Sequence, residues 1–192
     1  MNYIFRNNLI IQDKSFKSKI TKEINKIIGS GEYILGKETK KFEKNFAKYL
    51  RVKNIIGVSN ATDALILVLD SLNLNKGDEV ITSPFTAYAT CAAIIKSGAK
   101  LVFADIDKET WLLDIEKTIK KINSRTRAII PVHIFGNVFD VNQLKKEIKK
   151  VTKKKIYIIE DSSQAHGSKI RNKYSGTHGD FSVWSFYPTK NL

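Results

Sequence analysis

From residue 54 onward, short runs of aliphatic and β-branched residues alternate with stretches of helical periodicity, and no other feature limits the fold so strongly. The runs fall at 55–58, 80–82, 101–104, 128–132, 156–159 and 181–185; the helical stretches fall at 63–72, 89–97, 115–122 and 141–151. A helix between two strands is long enough to carry the chain back across a sheet, so strands joined this way lie parallel. The pattern therefore predicts an α/β fold with a mostly parallel sheet. Ahead of it stand two amphipathic helical patterns. One covers about 14–28, with Ile20, Ile24, Ile27 and Ile28 on one face, and the other covers 39–50, with Phe42, Phe46 and Tyr49; Gly29, Gly31 and Gly36 separate them.

Open parallel sheets bind ligands at the carboxyl ends of their strands, so the chemistry should follow the strands directly. Asn60-Ala61-Thr62 follows the first expected strand, residues 84–90 the second, residues 133–137 the fourth, and Glu160-Asp161 the fifth. The three prolines, Pro84, Pro131 and Pro188, each stand beside an expected strand end.

Composition narrows the classes of function. With 42% hydrophobic residues in 192, the chain can bury a core. No apolar run approaches the ~20 residues of a membrane-spanning helix. The N-terminus has no apolar block before Asn7, Asn8, Gln12 and Asp13, which points to a cytoplasmic protein with no membrane partner. The single cysteine, Cys91, cannot pair within the chain and reads as a buried structural thiol in a reducing compartment. The net charge of +14 comes from lysines scattered over helical stretches without interleaved aromatics, so it reads as a solvated basic surface rather than a nucleic-acid site. His133, His166 and His178 lack metal-ligand spacing and a cysteine cluster, so no metal is expected. Asp105 and Asp107 read as turn-capping residues, and His133 and His166 as structural or supporting groups.

Three features carry specific chemistry. Lys190 lies just after a strand and beyond the backbone constraint of Pro188, and Asp161 follows the apolar run 156–159 at the mouth of the same sheet. Ser59-Asn60-Ala61-Thr62 leads into a helix at Asp63, where backbone amides can cradle an anion, and Ser185 can add a hydroxyl. These are the groups that a pyridoxal 5'-phosphate (PLP) site needs: a lysine for the aldehyde, a carboxylate for the pyridine nitrogen and a cradle for the phosphate.

In order along the chain, the sequence resembles the DegT/DnrJ/StrS family of PLP-dependent sugar aminotransferases. The similarity runs through Gly36-Lys37-Glu38, Phe42-Glu43, residues 58–65, Gly77-Asp78-Glu79-Val80, Ala104-Asp105-Ile106-Asp107 and Pro131-Val132-His133, then residues 160–167, Gly179-Asp180 and residues 185–191. The resemblance implies the three-layer α/β/α large domain of PLP fold type I, with a helical segment at 1–35 and the cofactor-binding domain at 36–192. It also implies that the rest of the large domain and a small C-terminal domain lie beyond Leu192. By the same resemblance, Lys190 binds the cofactor aldehyde, Asp161 pairs with the ring nitrogen, and Gln164 contacts the ring hydroxyl. Ala61 and Thr62 give the phosphate their amides, and Ser185 gives it a hydroxyl.

Family members that dehydrate carry histidine in place of this lysine, so Lys190 favours amino transfer. The implied reaction moves an amino group from an amino acid, glutamate by resemblance, to a nucleotide-linked keto sugar for polysaccharide or amino-sugar biosynthesis, in a homodimer. The alternatives are transfer to a keto-cyclitol, or a non-catalytic regulatory remnant with a basic surface. Two positions depart from the family pattern. Ala61 replaces a glycine, so its backbone must avoid positive φ. Ala87 replaces an aromatic ring that stacks on the cofactor, which leaves the partner of that ring face open.

Overall fold

The computed structural model describes residues 14–190, which divide into two compact units, one ending at Gly57 and one beginning at Val58. The first unit holds helix α1 (Lys14–Ser30) and helix α2 (Lys37–Leu50). Gly36 caps α2, and a side chain there would meet the Glu32 carbonyl oxygen at 2.7 Å, so glycine is required. Along α2, Phe42 stacks on Phe46 with centroids 5.8 Å apart, and Phe46 on Tyr49 at 6.1 Å. Phe46, Ala47 and Leu50 are buried. The apolar stripe of α1 stays open, with Ile24 and Ile28 both exposed.

The second unit opens with α3 (Ala61–Ser71) and continues β1 (Glu79–Thr82), α4 (Tyr88–Lys96), β2 (Lys100–Phe103), α5 (Ile115–Lys121), β3 (Thr126–Ile130), α6 (Val141–Val151) and β4 (Tyr157–Asp161). A two-stranded hairpin, β5 (Lys169–Ile170) and β6 (Lys173–Tyr174), precedes the last strand, β7 (Phe181–Val183). The five main strands form one all-parallel sheet in the order β2-β1-β3-β4-β7.

Successive side chains leave a strand on opposite faces, and here each face meets its own helical layer. Ile81, Ile129 and Ile158 pack with Leu144 and Ile148 of α6 and with Ile115 and Ile119 of α5. Val80, Ala128, Ile130 and Ile159 pack on the other side with Leu65 and Leu69 of α3 and Ala93 and Ile94 of α4. This is a three-layer α/β/α arrangement. Each fully buried Ile or Leu contributes about 1.5–3 kcal/mol of hydrophobic transfer. In α6 the apolar residues Val141, Leu144 and Ile148 follow the helical repeat, and the Asp140 carboxylate caps the first turn by accepting from the Gln143 amide at 3.0 Å.

Residues 55–58, expected as a strand, are not one: the segment pairs with no strand among the described residues. Its backbone is held differently, with the Gly57 amide donating to Glu43 Oε1 at 2.7 Å. The hairpin turns through Arg171 and Asn172, both at positive φ (48° and 62°) as a tight two-residue turn requires. No helix among the described residues is long and apolar enough to cross a membrane.

Candidate active site

The strand order reverses direction beside β1: the chain leaves β1 toward β2, then crosses back to β3. Such a switch opens a crevice at the carboxyl ends of the strands. Asp161, the last residue of β4, stands at that end and is 5% exposed. Its Oδ2 accepts from Thr90 Oγ1 of α4 at 2.9 Å, and its Oδ1 from the Ser163 amide at 3.2 Å. Thr90 is itself fully buried and hydrogen-bonded to Thr86, 2.9 Å away. The carboxylate is thus oriented by two donors and keeps lone pairs for a third.

The chain then turns back against β7, the Ser162 amide donating to the Val183 carbonyl at 2.8 Å. This ties the Asp161 strand end to the start of the segment that carries Ser185 and Lys190. Ser185 is buried, and its Oγ accepts from the Tyr187 amide at 3.4 Å, which leaves the hydroxyl proton to give. The Lys190 amide closes a turn onto the Tyr187 carbonyl at 2.8 Å. Gln164 Oε1 accepts from the Phe135 amide at 2.9 Å, so its NH₂ group remains the donor for a ligand oxygen.

The anion cradle lies at the start of α3. Asn60 Oδ1 accepts from the Asp63 amide at 2.9 Å, and the Asn60 carbonyl accepts from Ala64. The first amides of a helix have no partner within it, so those of Ala61 and Thr62 are left to meet an anion. The Asp63 carboxylate, the acid of this first turn, is drawn back by Ser59 and by Asn60 Nδ2. Ala61 is helical and keeps negative φ, so its methyl is accommodated without strain. Ala61 also packs into the apolar cluster that includes Ile159 and Val183, which draws the start of α3 toward β4 and β7. Ala87 precedes α4 as its N-cap, and Tyr88, the next residue, is 84% exposed.

Three networks here carry no signal in the linear sequence. Glu160, one residue before Asp161, is fully buried: Oε2 accepts from His133 Nε2 (2.8 Å) and the Gly176 amide (2.9 Å), and Oε1 from the amides of His178 (2.7 Å) and Gly179 (2.5 Å). His133 Nδ1 accepts from the Phe139 amide at 3.0 Å, which places the ring proton on Nε2. Burial alone would raise the Glu160 carboxyl; the His133 hydrogen bond and the Gly179 and His178 amides outweigh it and hold the carboxyl below its ordinary value. His133 is therefore structural. Second, Phe85, Trp111 and Phe135 meet edge to face at the same end of the sheet, with centroids 5.3 and 6.0 Å apart. Trp111 and Phe135 do so at positive φ (64° and 53°), a costly backbone for bulky residues. Third, His166 sits edge-on between Trp184 and Phe186.

Asp105 and Asp107 act in turns: Asp105 Oδ1 accepts from the Ile106 amide, and Asp107 Oδ1 from the Glu109 and Thr110 amides. Cys91 is half-buried, and that burial pushes its thiol up. Among the described residues, no group of three or more His, Cys, Asp and Glu is placed to hold a metal ion.

A parallel α/β sheet with a buried carboxylate, an anion-ready helix start and a lysine-bearing segment at one end defines a fold type I PLP protein. The chain belongs to the DegT/DnrJ/EryC1/StrS aminotransferase family, whose sequence model matches residues 14–192. It is 40% identical over 171 residues to the dTDP-3-amino-3,6-dideoxy-alpha-D-galactopyranose transaminase of Aneurinibacillus thermoaerophilus, covering 89% of this chain and 46% of that protein. It is 38% identical over 181 residues to the pleiotropic regulatory protein of Geobacillus stearothermophilus, covering 94% and 48%. Among solved structures, Streptococcus pneumoniae Spr1654 in its PLP form superposes with a TM-score of 0.90 at 31% identity, covering 100% of this chain and 50% of the other. The chain spans about half the length of the relatives it matches. The cofactor of the family is PLP.

Proposed function

We propose that the protein is a PLP-dependent aminotransferase that moves an amino group from an amino acid, glutamate, to a nucleotide-linked keto sugar. The observation that carries this reading is the Asp161 carboxylate, buried at the end of β4 and oriented by Thr90, on a strand end tied to the segment bearing Lys190. The residues fit the group. Asp161 would hold the ring nitrogen in its protonated form, and the Gln164 NH₂ would donate to the ring hydroxyl oxygen. The Ala61 and Thr62 amides and the Ser185 hydroxyl would hold the phosphate. When bound, PLP supplies an electron sink for the carbon that loses its proton. Lys190 Nζ would hold the cofactor aldehyde and, when free, would be the amine that takes up and returns that proton, a role suited to a primary amine acting as general acid and base.

The choice of acceptor rests on the relatives. The Aneurinibacillus protein acts on a dTDP-linked amino sugar by its name, and a GDP-perosamine synthase of Vibrio cholerae is 36% identical over 183 residues. The setting is amino-sugar or surface-polysaccharide biosynthesis in the cytoplasm, and the working form is a homodimer. Borohydride treatment in the presence of PLP should attach the cofactor to Lys190, read by peptide mapping, and Lys190→Ala should lose both the label and the visible absorbance. Labelling at another lysine overturns the assignment. Turnover across a panel of nucleotide keto sugars with glutamate then tests the substrates.

A second reading is favoured by the name of the Geobacillus relative together with the charge of +14: a regulatory role through the basic surface. Salt-sensitive DNA binding in a chain that takes up no PLP selects it.

A further inference from the structure

His166 is a group that the proposed reaction leaves unused. Its ring lies 5.1 Å from the Trp184 ring at 61° and 5.1 Å from the Phe186 ring at 69°, edge-on to both. These two aromatics bracket Ser185, the hydroxyl assigned to the phosphate. Both ring nitrogens of His166 are shielded from solvent and make no hydrogen bond of good geometry, although the Ser185 backbone is close enough to favour the protonated ring slightly. Trp184 has further close neighbours. A methyl group at Gly176 would stand 2.6 Å from Trp184 Cζ2, and the indole nitrogen donates to Ser182 Oγ at 3.3 Å. The indole is thus packed closely by the Gly176 backbone as well as by the imidazole. The titratable group whose charge reaches His166 is Lys190.

We propose that His166 is a positioning residue for the lysine-bearing segment: a neutral aromatic wedge between Trp184 and Phe186 that fixes how the chain leaves β7, and so where Ser185 and Lys190 stand. The proposal rests on the cofactor reading above for its consequence, though not for the wedge itself. Burial first, and then the positive charge of Lys190, hold the imidazole below its ordinary value of 6.5, so the ring is neutral at physiological pH. A neutral ring can seat against two aromatic edges beside an ammonium group. A protonated one cannot share that space without repulsion.

The test uses the full chain and has two arms. The chain contains two tryptophans, so a Trp111→Phe background leaves Trp184 as the indole reporter. In the cofactor-free protein, Trp184 emission should show a quenching step on acidification, below pH 6.5, as the imidazole gains its proton. His166→Phe should remove that step, and Lys190→Ala should move it to higher pH by withdrawing the neighbouring charge. In the second arm, PLP affinity is measured by absorbance. His166→Phe, which keeps the wedge, should stay within about threefold of wild type, and His166→Ala should weaken binding about tenfold or more. Wild-type affinity in His166→Ala, or an acid step that survives His166→Phe, overturns the proposal. If His166→Ala does not fold, the emission arm still decides. If the unsubstituted chain binds no PLP, the cofactor reading fails, and the emission step alone reports on the wedge.

Discussion

Glu160 and Asp161 are neighbours on one strand with opposite surroundings, because consecutive strand residues face opposite sides of a sheet. Asp161 meets Thr90 at the crevice, whereas Glu160 faces inward and gathers the backbone amides of residues 176, 178 and 179. Glu160→Gln replaces an acceptor-only group with one that presents NH₂ to those amides, and should cost about 2–4 kcal/mol on the scale of hydrogen bonds to a charged acceptor. Urea unfolding at neutral pH measures this loss. The pH dependence has a definite sign. The native Glu160 carboxyl is held below its ordinary 4.5, so near that pH the unfolded chain binds more protons than the native one. Its stabilisation is complete well above 4.5 and is lost as pH falls through the lower native value. The stability gap between wild type and Glu160→Gln should therefore narrow on acidification, and a gap that widens excludes this account.

Within α3, the helical repeat places Leu65 fully inside the core and leaves Leu67 54% exposed. Leu65→Ala should cost about 2–5 kcal/mol and Leu67→Ala about 0.5 kcal/mol or less, checked by paired denaturation curves. At this scale much of the fold was legible, because buried parallel strands and amphipathic helices write their periods into the sequence. The runs at 80–82, 101–104, 128–132, 156–159 and 181–185 each overlap a strand of the sheet. The run at 55–58 has the same composition but no pairing among the described residues, since composition reports apolarity and not a neighbour. The hairpin at 169–174 leaves no sequence signal, because each of its strands has only two residues and its turn is Arg-Asn, without the glycine that marks such turns. Asp161 stood out by following an apolar run. Thr90, which orients it, did not, because their hydrogen bond spans 71 positions and only the folded sheet brings them together. The bond between His133 and Glu160 was hidden for the same reason.

For the molecule as a whole, the charge of +14 is the dominant long-range term. Like charges repel across a compact surface, and salt screens them over a Debye length of about 30 Å at 0.01 M and about 8 Å at 0.15 M. The thermal midpoint should therefore rise between those ionic strengths, as calorimetry can show; a fall would mean that the local ion pairs outweigh the net repulsion.

Those pairs are not spread evenly. At the amino ends of the strands, Glu79 joins Lys100 (3.3 Å), Arg125 (3.0 Å) and Asn123 (2.7 Å), and Asp78 joins Arg127 (3.0 Å). The groups assigned to chemistry stand at the opposite rim. A protein engineer can accordingly adjust heat tolerance from the bottom of the sheet without touching Asp161 or its partners at the top, since the two sets of groups are anchored at opposite ends of the same β-strands.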